Sequence, residues 1–421
     1  MHVKSLRTGS FIIAICLFLG GFVHAQTVLR LSWWGGEARH AMYNELADLY
    51  EAEHPDVMID REFAAFGPYW ERLATQVAGG NAPDVLHMHE RFLNEYVTRG
   101  ALADLTPLVE SGAIDLGHFS DAIIDTGRAG GNIYMITLGN SAPGTHYNTR
   151  LFAEADVEPP SFEWTWDDLE ETALALSEAH GSGVYGVNDA GGWPSAAEHF
   201  VRQQGTPFFA DDALGFDRET LVAYWSLWQR LRAAGAIPPA DMTAERDAAS
   251  HPDSMLVHNV VAMQFMSGNQ HKLYQQNTDD DLALTTLPRA TDAGAPAGDV
   301  LGGAYIAIAA GTRHMAEAAS FVDWFVNDPE VAMVYNAEHG PPGSAEAQAI
   351  VMPQLLPADQ RLSAMMEFIG RTAQASDRHP AKGGEVMAAL TRIYQELSFG
   401  RYGSVEEAVD DFFEEADFIL N

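Results

Sequence analysis

The stretch "LRLSWWGGEARH" (Leu29–His40) places an apolar run, two adjacent tryptophans, a bare Gly35-Gly36 pair and a charged segment side by side. Neighbouring residues of a strand point to opposite faces, so a core needs only one of the two rings. The pattern continues outward as an alternation. Val28 to Trp33 reads as a strand. Glu37 to Glu53 carries apolar residues at Ala38, Met42, Leu46, Leu49 and Tyr50, a helical stripe that Pro55 ends. Val57 and Ile59 alternate with polar neighbours as a second strand. Tyr69 to Ala78 repeats the helical stripe through Trp70, Leu73 and Val77, "GGNAP" (Gly79–Pro83) breaks it, and Val85-Leu86 opens a third strand. Strand, helix, strand, helix, strand predicts an α/β fold with a parallel sheet.

A second unit of the same kind begins near Gly139. Glu163 to Gly181 reads as a helix whose capping box is Thr165 with Asp168 three residues on. Leu169, Ala173 and Leu176 form its buried stripe. Asp217 to Gly235 predicts another helix, Leu301 to Gly311 a buried strand, and His314 onward a helix stopped by Asn327-Asp328-Pro329. Proline and glycine breaks are spread along the chain and isolate no single linker, as expected of a chain that crosses between two lobes more than once.

The chain has 421 residues, 47% of them hydrophobic, enough for a sizeable core in more than one domain. Residues 1–25 read as a secretory signal: Lys4 and Arg7 are the basic start, Phe11 to Phe22 the apolar stretch, and Val23-His24-Ala25 the cleavage site. Ile15 before the single Cys16 departs from a lipid-attachment pattern, so a soluble exported product without cysteine is expected. Formal net charge is −35, and losing Lys4 and Arg7 leaves −37, with only Lys272 and Lys382 remaining as lysines. That balance argues against nucleic acid and anionic membrane surfaces. It reads either as a solubilising surface or as adaptation to high salt, where screening weakens self-repulsion. A monomer is expected, and no cofactor.

Catalytic signatures are sparse. There is no G-x-S-x-G elbow, no phosphate-binding G-x-x-x-x-G-K-[ST] and no cysteine nucleophile. "HMHE" (His87–Glu90) would set His87 and His89 on one face of a strand, but zinc needs a third ligand that the pattern does not place. His89 reads better as a hydrogen-bonding group for a polar ligand. What recurs is aromatic rings beside glycines and amides at strand ends: Trp33-Trp34, "FAAFGPYW" (Phe63–Trp70), "NDAGGWP" (Asn188–Pro194), "MQFMSGNQ" (Met263–Gln270) and "DVLGGAY" (Asp299–Tyr305). In an open α/β sheet ligands bind beyond the carboxyl ends of the strands. Flat rings suit the C–H faces of sugars, and polar side chains read the hydroxyl rim.

On "LSWWGG", "ATQVAGGNAPDVLHM", "GALADLTPL", the order "YN-x-x-LF…P…TWDDL", "VVAMQFMSGNQ" and "LGGAYIAIAAGTRHMAEAASFVDWFVNDPEVAMVYNAEHGPPGS", the chain resembles the extracellular solute-binding proteins of ABC importers, in the group that contains maltose-binding protein. The resemblance covers nearly the whole chain after residue 25. It implies two α/β lobes, a ligand cleft between them and a hinge of several segments, with crossings near Leu138 to Ser141, near Gly298 to Gly302 and after Met352. Lobe one would comprise 26–138 plus 303–352, and lobe two 139–302 plus 353–421. Such a protein captures a sugar or oligosaccharide in the periplasm and delivers it to ABC permease transmembrane subunits, without chemistry. The implied contacts are Trp33, Trp34, Glu37, Arg39, Phe66, Tyr69, His89 and Glu90 from lobe one. Asn140, Trp193, Phe265, Ser267 and Asn269 lie across the cleft, Gly302, Gly303 and Tyr305 at the second crossing, and Arg378 and His379 in a late loop. One tryptophan would anchor the strand and the other face the cleft, with Gly35-Gly36 clearing space. Many relatives carry Gly-Lys before the "xAM" and an aromatic after it. His258-Asn259 and Asn269 stand there instead, which shifts the expected platform of lobe two to Phe265 or Trp193. The alternatives are a secreted carbohydrate-active hydrolase using a carboxylate pair, or a binder of a non-sugar polar solute such as a polyol, or of an acidic sugar.

Overall fold

The computed structural model describes residues 26–246, 251–373, 379–380 and 382–421; the expected export signal and Arg378 lie outside them. Strand β1 (Thr27–Trp34), helix α1 (Glu37–Glu53), strand β2 (Val57–Ala64), helix α2 (Phe66–Ala78) and strand β3 (Val85–His89) follow in order, and β1 pairs parallel with both β2 and β3. Strand β4 (Met135–Ser141) completes the outbound half of this sheet. The sheet is covered on both faces. Leu29, Leu31 and Trp33 of β1 pack with Tyr43, Leu46 and Tyr50 of α1, whereas Trp34 packs with Tyr69 and Leu73 of α2. A parallel sheet with helices on both sides buries both sides of its strands.

After β4 the chain passes through Ala142 straight into β5 (Pro143–Asn148), the first strand of a second sheet. Helix α3 (Trp166–His180) follows and starts with the expected capping box, Thr165 and Asp168 satisfying each other's backbone N–H. Strand β6 (Tyr185–Val187), helix α4 (Pro194–Arg202), helix α5 (Arg218–Ala233), strand β7 (Val261–Ser267) and strand β8 (Leu282–Thr286) complete this unit, with strand order β8-β5-β7-β6. Its core joins Trp166 of α3 and Trp225 and Trp228 of α5 to Phe265 of β7.

Strand β9 (Gly302–Ile308) then returns to the first sheet, between β3 and β4 and antiparallel to both, giving the order β2-β1-β3-β9-β4. The first sheet is therefore mixed rather than purely parallel. A bulge leaves Leu138 unpaired opposite Ala304 and Tyr305, a common device where a strand bends out of a sheet. Gly303 (φ +155) lies so close to β4 that an added Cβ would stand 2.0 Å from the Gly139 carbonyl oxygen. Helix α6 (Met315–Asn327) and helix α7 (Pro329–Tyr335), the latter capped by Asp328, pack on the first sheet. Helix α8 (Pro357–Ile369) packs instead against β8, and helices α9 (Gly383–Ser398) and α10 (Val405–Leu420) join the second core. Where the segments pass between the sheets, Ala142, Leu284, Leu301, Leu362, Met365 and Ile369 form a small core of their own. No helix among the described residues is long and apolar enough to cross a membrane.

Candidate functional site

The carboxyl ends of β1 and β3 and the start of α2 bring Trp34, Phe66 and His89 together. Phe66 is 41% exposed, edge-on to Trp34 at 5.5 Å between ring centroids and 6.2 Å from the His89 ring. His89 ends β3. Burial holds its imidazole down at about 4, with Arg91 and His379 adding to the effect and Glu90 opposing it. Glu90 ties this corner to the returning strand: its carboxylate accepts from the Gly303 N–H at 3.2 Å and lies 3.1 Å from His89 Nδ1. A Cβ on Gly302 would stand 2.7 Å from that carboxylate, so the bare backbone of Gly302-Gly303 serves Glu90 and β4.

Residues of the second unit face this corner. The His379 Nε2 lies 2.7 Å from Glu198 Oε1 of α4, and its ring lies edge-on to Phe209. Burial would push the Glu198 carboxyl up. His379, Arg202 and Arg91 outweigh that and hold it below the usual carboxylate range. His379 also bears on His89, and Arg91 on Glu198, through charge. At the crossing, the Ser141 and Ser267 hydroxyls lie 3.3 Å apart and the Asn269 N–H donates to Ser141 Oγ at 3.0 Å. Asn140 donates from both its backbone and its side-chain nitrogen to the Pro341 carbonyl.

Behind Trp34 lies a buried polar layer. The His87 ring is edge-on to Trp34 at 5.2 Å and to Tyr43 at 4.8 Å, and it sits 5.8 Å from the His339 ring. Burial first, then the nearby Arg39 charge, holds both imidazoles well below their usual range. His339 is hydrogen-bonded to the Tyr335 hydroxyl. Arg39 Nε donates to Glu338 Oε1 at 2.9 Å, and its Nη1 donates to the Trp34 carbonyl at 3.4 Å.

Several expected contacts point elsewhere. Trp33 is fully buried: it stacks on Tyr43 at 5.1 Å and its indole N–H donates to His40 Nδ1 at 3.1 Å. The expectation was that one tryptophan anchors the strand while the other faces the cleft. Because both faces are covered, Trp34 too is only 6% exposed, and the open ring at this corner is Phe66. Tyr69, one turn into α2, is buried and donates to the His87 carbonyl at 2.7 Å. Tyr305 lies inside the first sheet, and Phe265, expected as the platform of lobe two, is buried against Trp166 and Trp228 in the second core. Gly35 opens space for its own chain, since a Cβ there would meet Arg39 Cδ at 2.5 Å. Glu37 is exposed on the first turn of α1, and Trp193 is half-buried at the start of α4. Arg91, Glu198, Glu338 and His339 were not expected here. Of these, "NAEHGPP" offered a signal, a polar break after a helix, but nothing local pairs Glu338 with Arg39.

The family whose description is bacterial extracellular solute-binding protein matches residues 36–332. A lactose-binding protein of Rhizobium radiobacter is 24% identical over 166 residues, 38% of this chain and 38% of its own length. An uncharacterized lipoprotein of Streptomyces antibioticus is 29% identical over 163 residues, 37% of this chain and 33% of its own. The chain thus spans only about a third of the length of such curated relatives. A periplasmic oligogalacturonide-binding protein of Yersinia enterocolitica, solved with saturated digalacturonic acid, superposes with a TM-score of 0.82 at 21% identity, covering 94% of this chain and 99% of that one. At that identity the likeness is one of fold.

Proposed function

The chain belongs to the bacterial extracellular solute-binding proteins, and from that premise we propose that it captures a sugar or oligosaccharide between two α/β lobes in the periplasm and hands it to ABC permease subunits. The lobes are 26–138 plus 303–352 and 139–302 plus 353–421, with β4 and β9 of the first sheet running across both boundaries and residues 1–25 cleaved on export. The observation that carries the reading is the corner where exposed Phe66, backed by Trp34, stands beside His89 and faces the Glu198–His379 pair of the other sheet. A flat apolar face next to hydrogen-bonding groups matches a sugar ring with its C–H face and hydroxyl rim. Ser267, Asn269 and Trp193 extend the polar and aromatic lining from the second lobe. Closing such a cleft favours the state that makes contacts from both sides, so ligand shifts the open–closed equilibrium.

The protein binds without transforming its ligand. The family's description as solute-binding proteins supports this reading. The high negative charge favours a monomer. The test is a thermal-shift screen of the exported chain against a sugar library at low and high salt. A ligand that binds only the folded form raises the melting temperature by mass action. A rise of several degrees for one sugar is the expected result; no rise with any sugar at either salt would overturn the reading.

A further inference from the structure

The first residues past α7 are held in a demanding backbone. Asn336 (φ +45) and Ala337 (φ +56) are consecutive non-glycine residues in the left-handed region, and Ala337 is buried. Such conformations persist where the surroundings over-determine them, and they cluster at functional positions. Here the segment is pinned at both ends. Glu338 N–H donates to the Tyr335 carbonyl at 3.0 Å, Gly340 N–H to the Ala337 carbonyl at 2.9 Å, and the Pro341 carbonyl accepts from Asn140 N–H at 2.8 Å on the inter-sheet crossing. Gly340 (φ +101) has its Cα so near Asn140 that a Cβ would stand 2.0 Å from the Asn140 carbonyl oxygen. The strained turn delivers one side chain to the cleft corner: Glu338, whose carboxylate takes the Arg39 Nε–H, the two side chains being only 24% and 16% exposed. From the other side, Asp359 of α8 feels the Glu338 charge and itself pairs with Lys272 at 3.8 Å.

We infer that Glu338 is a specificity-determining residue which keeps Arg39 from serving a ligand carboxylate, so that the cleft takes uncharged sugars and rejects uronates. The inference rests on the sugar-binding reading above. Arg39 is the cation beside Trp34, where a fork-shaped guanidinium would otherwise grip an acidic sugar bidentately. With Glu338 in place, an incoming carboxylate must displace a held carboxylate or sit beside it, and two like charges in a half-buried site repel. Arg202 and Arg91 lie within electrostatic reach of the Glu198 carboxylate, and Lys272 lies 3.8 Å from Asp359. Glu37 and Glu90 add further negative charge to the first lobe's side. A hydroxyl can accept from the guanidinium's outward N–H groups without bringing a second negative charge beside Glu338, whereas a carboxylate that does so is repelled.

The test compares matched probes by isothermal titration calorimetry at pH 7: glucose with glucuronate, galactose with galacturonate, and the disaccharides of each series. Wild type is expected to bind at least one neutral sugar and its uronate partner at least about tenfold more weakly. Glu338→Gln keeps the shape and removes the competing charge. It is expected to narrow or invert that ratio by about tenfold or more, and the double variant Arg39→Gln/Glu338→Gln to lose the gained uronate affinity. Wild type binding a uronate as tightly as its neutral partner overturns the inference while leaving the sugar reading intact, and this arm needs no variant to fold. An unchanged ratio in a folded Glu338→Gln also overturns it. Absence of binding to every probe by wild type, with a sugar outside the panel also failing to shift its melting temperature, would remove the sugar reading and this inference together.

Discussion

The two lobes use aromatic rings in opposite ways. In the first, the rings run from the core to the surface without a break: Trp70 and Tyr69 lie under Trp34, and Trp34 lies under exposed Phe66. In the second, Trp166, Tyr224, Trp228 and Phe265 close on one another inside the core, while Glu198 meets His379 and Ser267 meets Ser141. A ring is available to a ligand because of where its strand or helix ends, not because glycines and amides flank it. On the proposed reading, the first lobe offers the open Phe66 ring and the second adds mainly hydrogen-bonding groups.

Acid should have the largest effect, on both lobes. Burial lowers His40, His87, His89 and His339 in the first, and His146, His199 and His271 in the second, with His89 and His271 at about 4 and His199 at about 3. Each of these folded-state values lies below the unfolded value of about 6.5. The unfolded chain therefore takes up protons first, and stability present above about pH 6.5 is lost as pH falls toward 4. Urea unfolding from pH 7.5 to 4.5 should show a steep loss beginning near pH 6. A flat profile over that range would break the account of neutral buried histidines.

Next in size are the two core rings once expected at the cleft. Trp33→Ala and Phe265→Ala should each cost about 3–5 kcal/mol of unfolding free energy, the usual penalty for emptying a buried aromatic site. Chemical denaturation checks this, and a cost under about 1 kcal/mol would mean the ring is not core. Phe66→Ala reverses the pattern. The unliganded melting temperature should stay within a few degrees, because the ring is already largely exposed, while sugar affinity falls about tenfold, or about 1.4 kcal/mol. An unchanged affinity would remove Phe66 as the platform. Ser267→Ala should be smallest, about 0.5–1.5 kcal/mol for the hydroxyl contact with Ser141 at the crossing, read as a small drop in melting temperature.

Much of this molecule was legible in sequence. The strand–helix alternation from Thr27 to His89, the Thr165–Asp168 capping box and the stop at Asp328-Pro329 are local, and the fold bears them out. The proline does more than stop a helix, because Asp328 caps the next one with two backbone N–H bonds. Face assignment was harder. Trp33 and Trp34 are neighbours with opposite directions, and which faces of a strand are covered depends on helices elsewhere in the chain. Pairing across distance was hidden altogether: Arg39 and Glu338 lie 299 residues apart, and His379 meets Glu198 of α4 from a distant part of the chain. Gly35 shows the same limit. Its bareness was legible, but the Arg39 side chain that folds over it was not.

The central claim is that the corner between the sheets holds a sugar and leaves it unchanged. A calorimetric titration of the exported chain with the sugar picked out by the thermal-shift screen, followed by chromatography of the recovered sugar, tests it most directly. The account predicts a saturating heat for about one sugar per chain and recovery of the sugar intact. Heat that continues with the appearance of smaller products, or no saturable heat with any sugar, would contradict it.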